Sequence, residues 1–259
     1  MKPILFQKEN GIATITLNRP KAYNSFTREM AFACQKCLDD CAADENVRVV
    51  VITGEGRAFC AGQDLVEVTT PELHPGFKKI LEEHYSPIIH KIRSLEKPVI
   101  AAVNGVAAGA GANIALACDI VIAHEKVSFI QAFSAIGLIP DSGGTYFLPR
   151  LIGFQKAMAI AMLADKISAT EAERMGMIYK VFETASFAEE VQKLANRLAK
   201  MPTKGLALTK KAFNESLSNT FEQQMELETK LQIEASETDD YFEGVAAFIE
   251  KRKPNFKGK

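Results

Sequence analysis

The sequence predicts an α/β domain with mostly parallel strand pairing, closed by a purely helical C-terminal end. Three observations predict it. Short apolar, β-branched runs alternate with helix-length amphipathic stretches as far as Phe182, the pattern of parallel strands joined by helical crossovers. Glycine-containing turns follow two of those runs directly. From Ala188 onward only helical patterns remain.

Taken in order, Ile4 to Gln7 alternates, Glu9-Asn10-Gly11 turns, and Ile12 to Leu17 alternates again, which reads as a hairpin ended by Pro20. A helix follows from Arg28 to Ala43, with Ser25 or Thr27 as its cap. Val47 to Thr53 reads as a buried strand and Gly54 to Gly62 as a loop. A helix is predicted over Phe77 to Ser94, bent or split by Pro87. Pro98 to Val103 is a strand, Asn104-Gly105 a turn, Gly109 to Ala117 a helix and Asp119 to Ala123 a strand. After a loop, Gly144 to Leu151 opens a mainly helical stretch, in which Ser168 and Glu171 have capping-box spacing. Met177 to Phe182 is the last strand-like run. This organisation divides the chain into a core, residues 1–199, and a helical appendage, residues 200–259, which must dock on something to be stable.

Composition narrows the function. With 259 residues, 47% of them apolar, the chain can fill a sizeable core. A net charge of −1 gives no reason to expect nucleic acid or an anionic membrane as a partner. No apolar run reaches membrane-spanning length, and the opening residues lack an export signal, so a cytoplasmic location is expected. Cys34, Cys37 and Cys41 fall on one helical stripe with Met30 and Leu38, the spacing of core packing rather than of a metal site. No metal and no resident cofactor are expected.

Three segments carry chemistry. They are Phe59-Cys60-Ala61-Gly62-Gln63-Asp64-Leu65, Val103-Asn104-Gly105-Val106-Ala107-Ala108-Gly109-Ala110-Gly111-Ala112-Asn113, and Ile136-Gly137-Leu138-Ile139-Pro140-Asp141-Ser142-Gly143-Gly144-Thr145. The first two read as strand-to-helix turns without bulky side chains. Such turns bring free backbone N–H groups close to a ligand, and two converging N–H groups stabilise a developing oxyanion. Spacing alone favours the plainer reading, in which the glycines serve tight turns and close packing. Neither segment has the phosphate-loop or dinucleotide spacing.

Taken together, the three segments resemble those of the crotonase (enoyl-CoA hydratase/isomerase) superfamily. The resemblance extends to Leu17-Asn18-Arg19-Pro20 and to Glu243-Gly244-Val245-Ala246-Ala247-Phe248-Ile249-Glu250-Lys251-Arg252. It implies a spiral of ββα units, a C-terminal helical region for trimerisation, and a homotrimer or a hexamer made of two trimers. It implies an acyl-CoA thioester as substrate, with the thioester oxygen held by the N–H groups of Ala61 and Ala110. By the same matching Lys21, Ala22 and Tyr23, with Ala61, Gly62, Gln63, Asp64 and Leu65, line the CoA groove. Gly109 and Phe133 are expected against the substrate, and Phe248 and Lys251 reach toward CoA across a subunit boundary.

Hydratases of that superfamily use two glutamates to hold a water and move its protons. Here those positions carry Asn113 and Phe133, neither of which is a base at neutral pH. A carboxylate stands instead at Asp141, which resembles the superfamily's isomerases, including those acting on dienoyl-CoA and on ring epoxides of phenylacetate breakdown. Asp141 is therefore the expected proton-transfer group. The alternative is an N-cap for a helix starting near Gly143. Asp64 is expected to orient its loop, and Tyr85 either lines the acyl pocket or packs. Two rivals stand beside this reading: another reaction on the same fold, by a hydratase, a dehalogenase-like hydrolase or a decarboxylase, which a second carboxylate such as Glu67 facing the pocket would favour; and a CoA- or RNA-binding relative without catalysis.

Overall fold

A computed structural model describes residues 2–259. The chain opens with a hairpin of β1 (Ile4–Glu9) and β2 (Ile12–Leu17), paired from Ile4↔Leu17 to Glu9↔Ile12. Its two-residue turn, Asn10 and Gly11, has φ of 52° and 79°. Positive φ at both residues matches the twist of the flanking strands, which is why Asn-Gly stands there.

Three ββ units then wind the spiral that the resemblance implies. They are β3 (Val49–Gly54) with β4 (Ala58–Cys60), β5 (Val99–Val103) with β6 (Val106–Ala108), and β7 (Ile120–His124) with β8 (Ser128–Ile130). The first strand of each unit joins one sheet and the second joins another. With β9 (Ile167–Ser168) and β10 (Lys180–Phe182), the six-stranded sheet runs β1-β2-β3-β5-β7-β10 and the four-stranded sheet β4-β6-β8-β9. Every neighbouring pair is parallel except β1 with β2 and β8 with β9.

The large sheet is covered on both faces, so its inner strands read as continuous apolar runs. Val50, Ile52, Val99 and Ala101 face a core shared with the helices Arg28–Ala43, Ser86–Ser94 and Ala110–Ala117. Val49, Val51, Ile100 and Ile122 face Phe187, Ala195 and Leu198 of the helix Phe187–Ala199. The cysteine stripe packs as the spacing predicts, with Cys34 and Cys41 buried beside Met30 and Leu38.

The long elements fall where expected. Thr27 caps the first helix by accepting from the Met30 N–H. Between Phe77 and Ser94 the chain stays helical, but through a π segment, Ile80–Tyr85, that ends two residues before Pro87. The misses are β4, β6 and β8, which lie where loops or turns are predicted, the two-residue strand β9 inside the stretch predicted mainly helical, and the short helix Leu65–Thr69. Three-residue strands are too short to show a period.

The last helices, Thr203–Ser216, Phe221–Ser236 and Asp239–Ile249, dock on the same chain. Lys210 pairs with Asp119 at 2.8 Å and donates to the Ile92 carbonyl at 2.7 Å. The Arg48 guanidinium donates to the Met201 carbonyl at 2.6 Å and to the Thr203 hydroxyl. Among the described residues no helix is long and apolar enough to cross a membrane.

Candidate active site

The turns after β4 and β6 meet face to face. Gly62 has φ of 90°, and a Cβ there would lie 3.1 Å from the Ala108 carbonyl and 3.5 Å from the Ala110 nitrogen. Behind it, a Cβ on Gly111 would fall 2.3 Å from the Cys60 carbonyl. Both glycines are required for this approach.

Backbone hydrogen bonding decides which N–H groups are free. The Ala61 N–H donates to the Tyr23 carbonyl at 3.0 Å, so it is spent and cannot also hold a thioester oxygen; the expectation for Ala61 is corrected here. The Gly62 carbonyl accepts from the Phe26 N–H at 2.7 Å, and the Asp64 N–H donates to the Phe26 carbonyl at 2.9 Å. A trans peptide points its N–H opposite its carbonyl. The Gln63 N–H therefore points away from Phe26, and it has no acceptor among the described residues. Across the gap, Gly109 donates to the Ile130 carbonyl at 2.9 Å. Ala110 opens the helix Ala110–Ala117 with its N–H unpaired among the described residues, as a first-turn N–H must be. Gln63 and Ala110 thus supply the pair of free donors.

Asp141 lies in a loop bonded through Asn113 to the helix Ala110–Ala117. It does not cap the following helix: the N-cap of Gly144–Ile152 is Gly143, with no side-chain cap bond. The Gly144 N–H instead bonds the Asp141 backbone carbonyl at 2.8 Å. Among the described residues the carboxylate accepts only the Ser142 hydroxyl, at 2.8 Å. Burial pushes the Asp141 carboxyl above its ordinary range, and the Ser142 bond offsets part of that shift. Ser142 and Gly143 both take positive φ, 50° and 78°, so the loop is held in a conformation that a serine adopts only under constraint.

Asn113 supplies that constraint. It is fully buried, and its Nδ2 donates to the Asp141 carbonyl at 2.8 Å. Its Oδ1 accepts from Gln131 Nε2 at 2.8 Å. Phe133 is buried, its ring tip 3.8 Å from where a Gly109 Cβ would stand. At the positions matched to the hydratase glutamates, this chain has a loop tether and an apolar wall.

The enoyl-CoA hydratase/isomerase family model matches residues 7–259. The chain belongs to that family. It is 46% identical to the 1,2-epoxyphenylacetyl-CoA isomerase of Escherichia coli (strain K12), covering all of both chains. It is 36% identical to the trans-2-decenoyl-[acyl-carrier-protein] isomerase of Streptococcus mutans, over 100% of this chain and 99% of that one. The crystal structure of an enoyl-CoA hydratase from Bacillus anthracis superposes with a TM-score of 0.92 at 32% identity, covering 99% of this chain and 100% of that one. The fold is therefore that of the enoyl-CoA hydratase/isomerase family.

Within this family member the other matched residues divide into two groups. Asp64 is buried and fully engaged: its Oδ2 meets Arg19 at 2.7 Å, and its Oδ1 accepts the Val66 and Glu67 N–H groups at 2.9 and 3.2 Å. Burial works against its ionisation, but the Arg19 bond and the amide bonds outweigh it and hold the carboxyl below its usual range. Asp64 fixes its loop and has no spare lone pair directed at a substrate. Lys21 and Ala22 sit in the 3-10 turn Pro20–Ala22, followed by Tyr23 with φ of 51°. Tyr23 and Leu65 are exposed, the Tyr23 ring lying under Arg57 at 4.3 Å. Glu67 is tied to the Arg28 N–H at 2.8 Å and to Gln63 Nε2 at 2.9 Å. Phe248 is 85% exposed and, like Lys251, has no hydrogen bond to these loops within the chain.

Sequence reading missed Gln131, Arg19 and the Gln63 amide. Arg19 was visible only as part of an opening motif. Gln131 stood as one polar residue in the apolar run Ile130-Gln131-Ala132-Phe133, a pattern that marks a buried polar partner.

Proposed function

We propose that the chain is an acyl-CoA isomerase that moves a double bond, or opens a ring epoxide, in a CoA thioester through an enolate. The observation that carries this reading is the Asp141 carboxylate on the loop tethered by Asn113, with Phe133 apolar, while Glu67, the carboxylate that would favour a hydratase, is taken up by the Arg28 N–H and Gln63 Nε2. One carboxylate suffices to remove and return a proton, whereas hydration calls for a second group to hold water. Asp141 takes a proton alpha to the thioester carbonyl. The Gln63 and Ala110 N–H groups receive the charge that builds on the thioester oxygen, and the proton returns elsewhere on the conjugated system. Burial of Asp141 raises its basicity toward that of the acid it must deprotonate. The relative that acts on 1,2-epoxyphenylacetyl-CoA supports a ring epoxide as the substrate to try.

CoA would lie along Lys21–Tyr23 and Gly62–Leu65, with no cofactor besides its own thioester. Helices beyond residue 200 carry exposed Phe221, Phe242, Phe248 and Ile249. This apolar surface supports an oligomerising region, residues 200–259, in a homotrimer or a hexamer, where Phe248 and Lys251 would reach a neighbour's CoA.

The test compares a 3-enoyl-CoA with crotonyl-CoA by the absorbance of the conjugated thioester. Growth with the first and no change with the second supports the isomerase, and the ring epoxide follows. Rapid loss with crotonyl-CoA means that water is added, and the reading falls.

A further inference from the structure

Tyr85 stands apart from the chain's other tyrosines. It is 1% exposed, while the rest are at least 37% exposed. It closes the π segment Ile80–Tyr85; π turns shift the helix register and cluster at functional sites. Its hydroxyl donates to Gln63 Oε1 at 3.0 Å. Its ring lies 5.8 Å from that of Phe26, whose backbone holds the Gly62–Gln63 peptide. Burial above all, with the nearby Asp141 carboxylate adding to it, pushes the phenol well above its usual range, so it stays a neutral donor.

Gly62, with φ of 90°, has no side chain to pack the peptide before Gln63, so hydrogen bonds fix its direction. The Phe26 N–H restrains its carbonyl end. The Gln63 side chain restrains the other end, held by Tyr85 at Oε1 and by Glu67 at Nε2, 2.9 Å. We propose that Tyr85 is a positioning residue for the oxyanion site, aiming the Gln63 N–H at the thioester oxygen through its hydrogen bond to the Gln63 side chain. This rests on the oxyanion role assigned to Gln63 above.

The probe is cinnamoyl-CoA, whose absorbance moves to longer wavelength as its carbonyl is polarised, bound to the Asp141→Asn enzyme. A shift on binding is expected, and Tyr85→Phe in that background should reduce it by half or more. In the enzyme with Asp141 intact, Tyr85→Phe should lower kcat about tenfold, the size of one neutral hydrogen bond, and leave KM unchanged. Gln63→Met should lower kcat at least as far, because it also cuts the Glu67 contact, and adding Tyr85→Phe to it should change little, because the Tyr85 contact is already gone. A full shift and full kcat in Tyr85→Phe, or in Gln63→Met if the first does not fold, overturns the inference and leaves the isomerase reading intact. No shift in Asp141→Asn itself sinks the oxyanion assignment beneath both.

Discussion

Asn113 Nδ2 and the Asp141 backbone carbonyl are joined at 2.8 Å, so a side chain from the glycine-rich helix holds the loop that carries the site's carboxylate. Gly144 belongs to the same arrangement, because a Cβ there would stand 2.3 Å from Asn113 Nδ2.

Asn113→Ala should therefore do more than trim a contact. It frees a loop held at positive φ and leaves Gln131 Nε2 buried without its acceptor, which costs about 1–3 kcal/mol of stability. We expect kcat to fall roughly tenfold with little change in CoA-ester affinity. Gly144→Ala should reproduce the loss by pushing Asn113 away. Chemical denaturation and steady-state rates on both variants check this; an Asn113→Ala enzyme with full kcat and stability would show that the tether is idle.

Asp141→Asn should abolish turnover and leave CoA-ester binding nearly intact. It should also stabilise the fold at neutral pH. A carboxyl raised in the folded state binds its proton more tightly there than when unfolded. Its contribution is complete below the unfolded value, near 3.9, and is lost as pH rises through the raised folded value. The Tm gain of the variant should thus be present at pH 7 and vanish at the acid end. An active variant would remove Asp141 from the chemistry.

The same burial sets the rate profile. The base must be ionised in the free enzyme, so kcat/KM should fall on the acid side with a midpoint above the ordinary aspartate range. Ser142→Ala removes the one hydroxyl that offsets burial, so it should move that midpoint further up. A profile unchanged in Ser142→Ala would mean that another group controls it.

How far this was legible depends on range. The helix Arg28–Ala43 could be read because its cap and apolar stripe are local. β4, β6 and β8 could not, since three residues show no period and those strands exist only by pairing within the small sheet, with one another and with β9. The contrast between Asp141 and Asn113 was visible as residue types. The Asn113 tether was not, because Asp141 lies 28 positions away and offers only its backbone. Ala61 was matched in place of Gln63 for a related reason: what spends the Ala61 amide is the Tyr23 carbonyl, 38 positions back in the chain, and such a distant backbone partner leaves no mark in the local motif.

Arg19 and Asp64 provide the last test. Asp64 is 6% exposed, and Arg19 meets it at 2.7 Å. Arg19→Ala would leave that carboxylate buried with only Ser25 and the two loop amides as partners. Removing one partner of a buried pair costs up to about 3–5 kcal/mol; Arg19 is partly solvated, so about 2 kcal/mol is expected. The carboxyl is held below its usual range in the folded protein, so its contribution is present above the unfolded value and is lost as pH falls through the lower folded value. The gap in stability between wild type and Arg19→Ala should therefore be largest at neutral pH and shrink below about pH 4. Because Asp64 also orders Val66 and Glu67, the variant should raise KM for the CoA ester more than it lowers kcat. A gap independent of pH would mean that Arg19 acts by packing alone, without its charge.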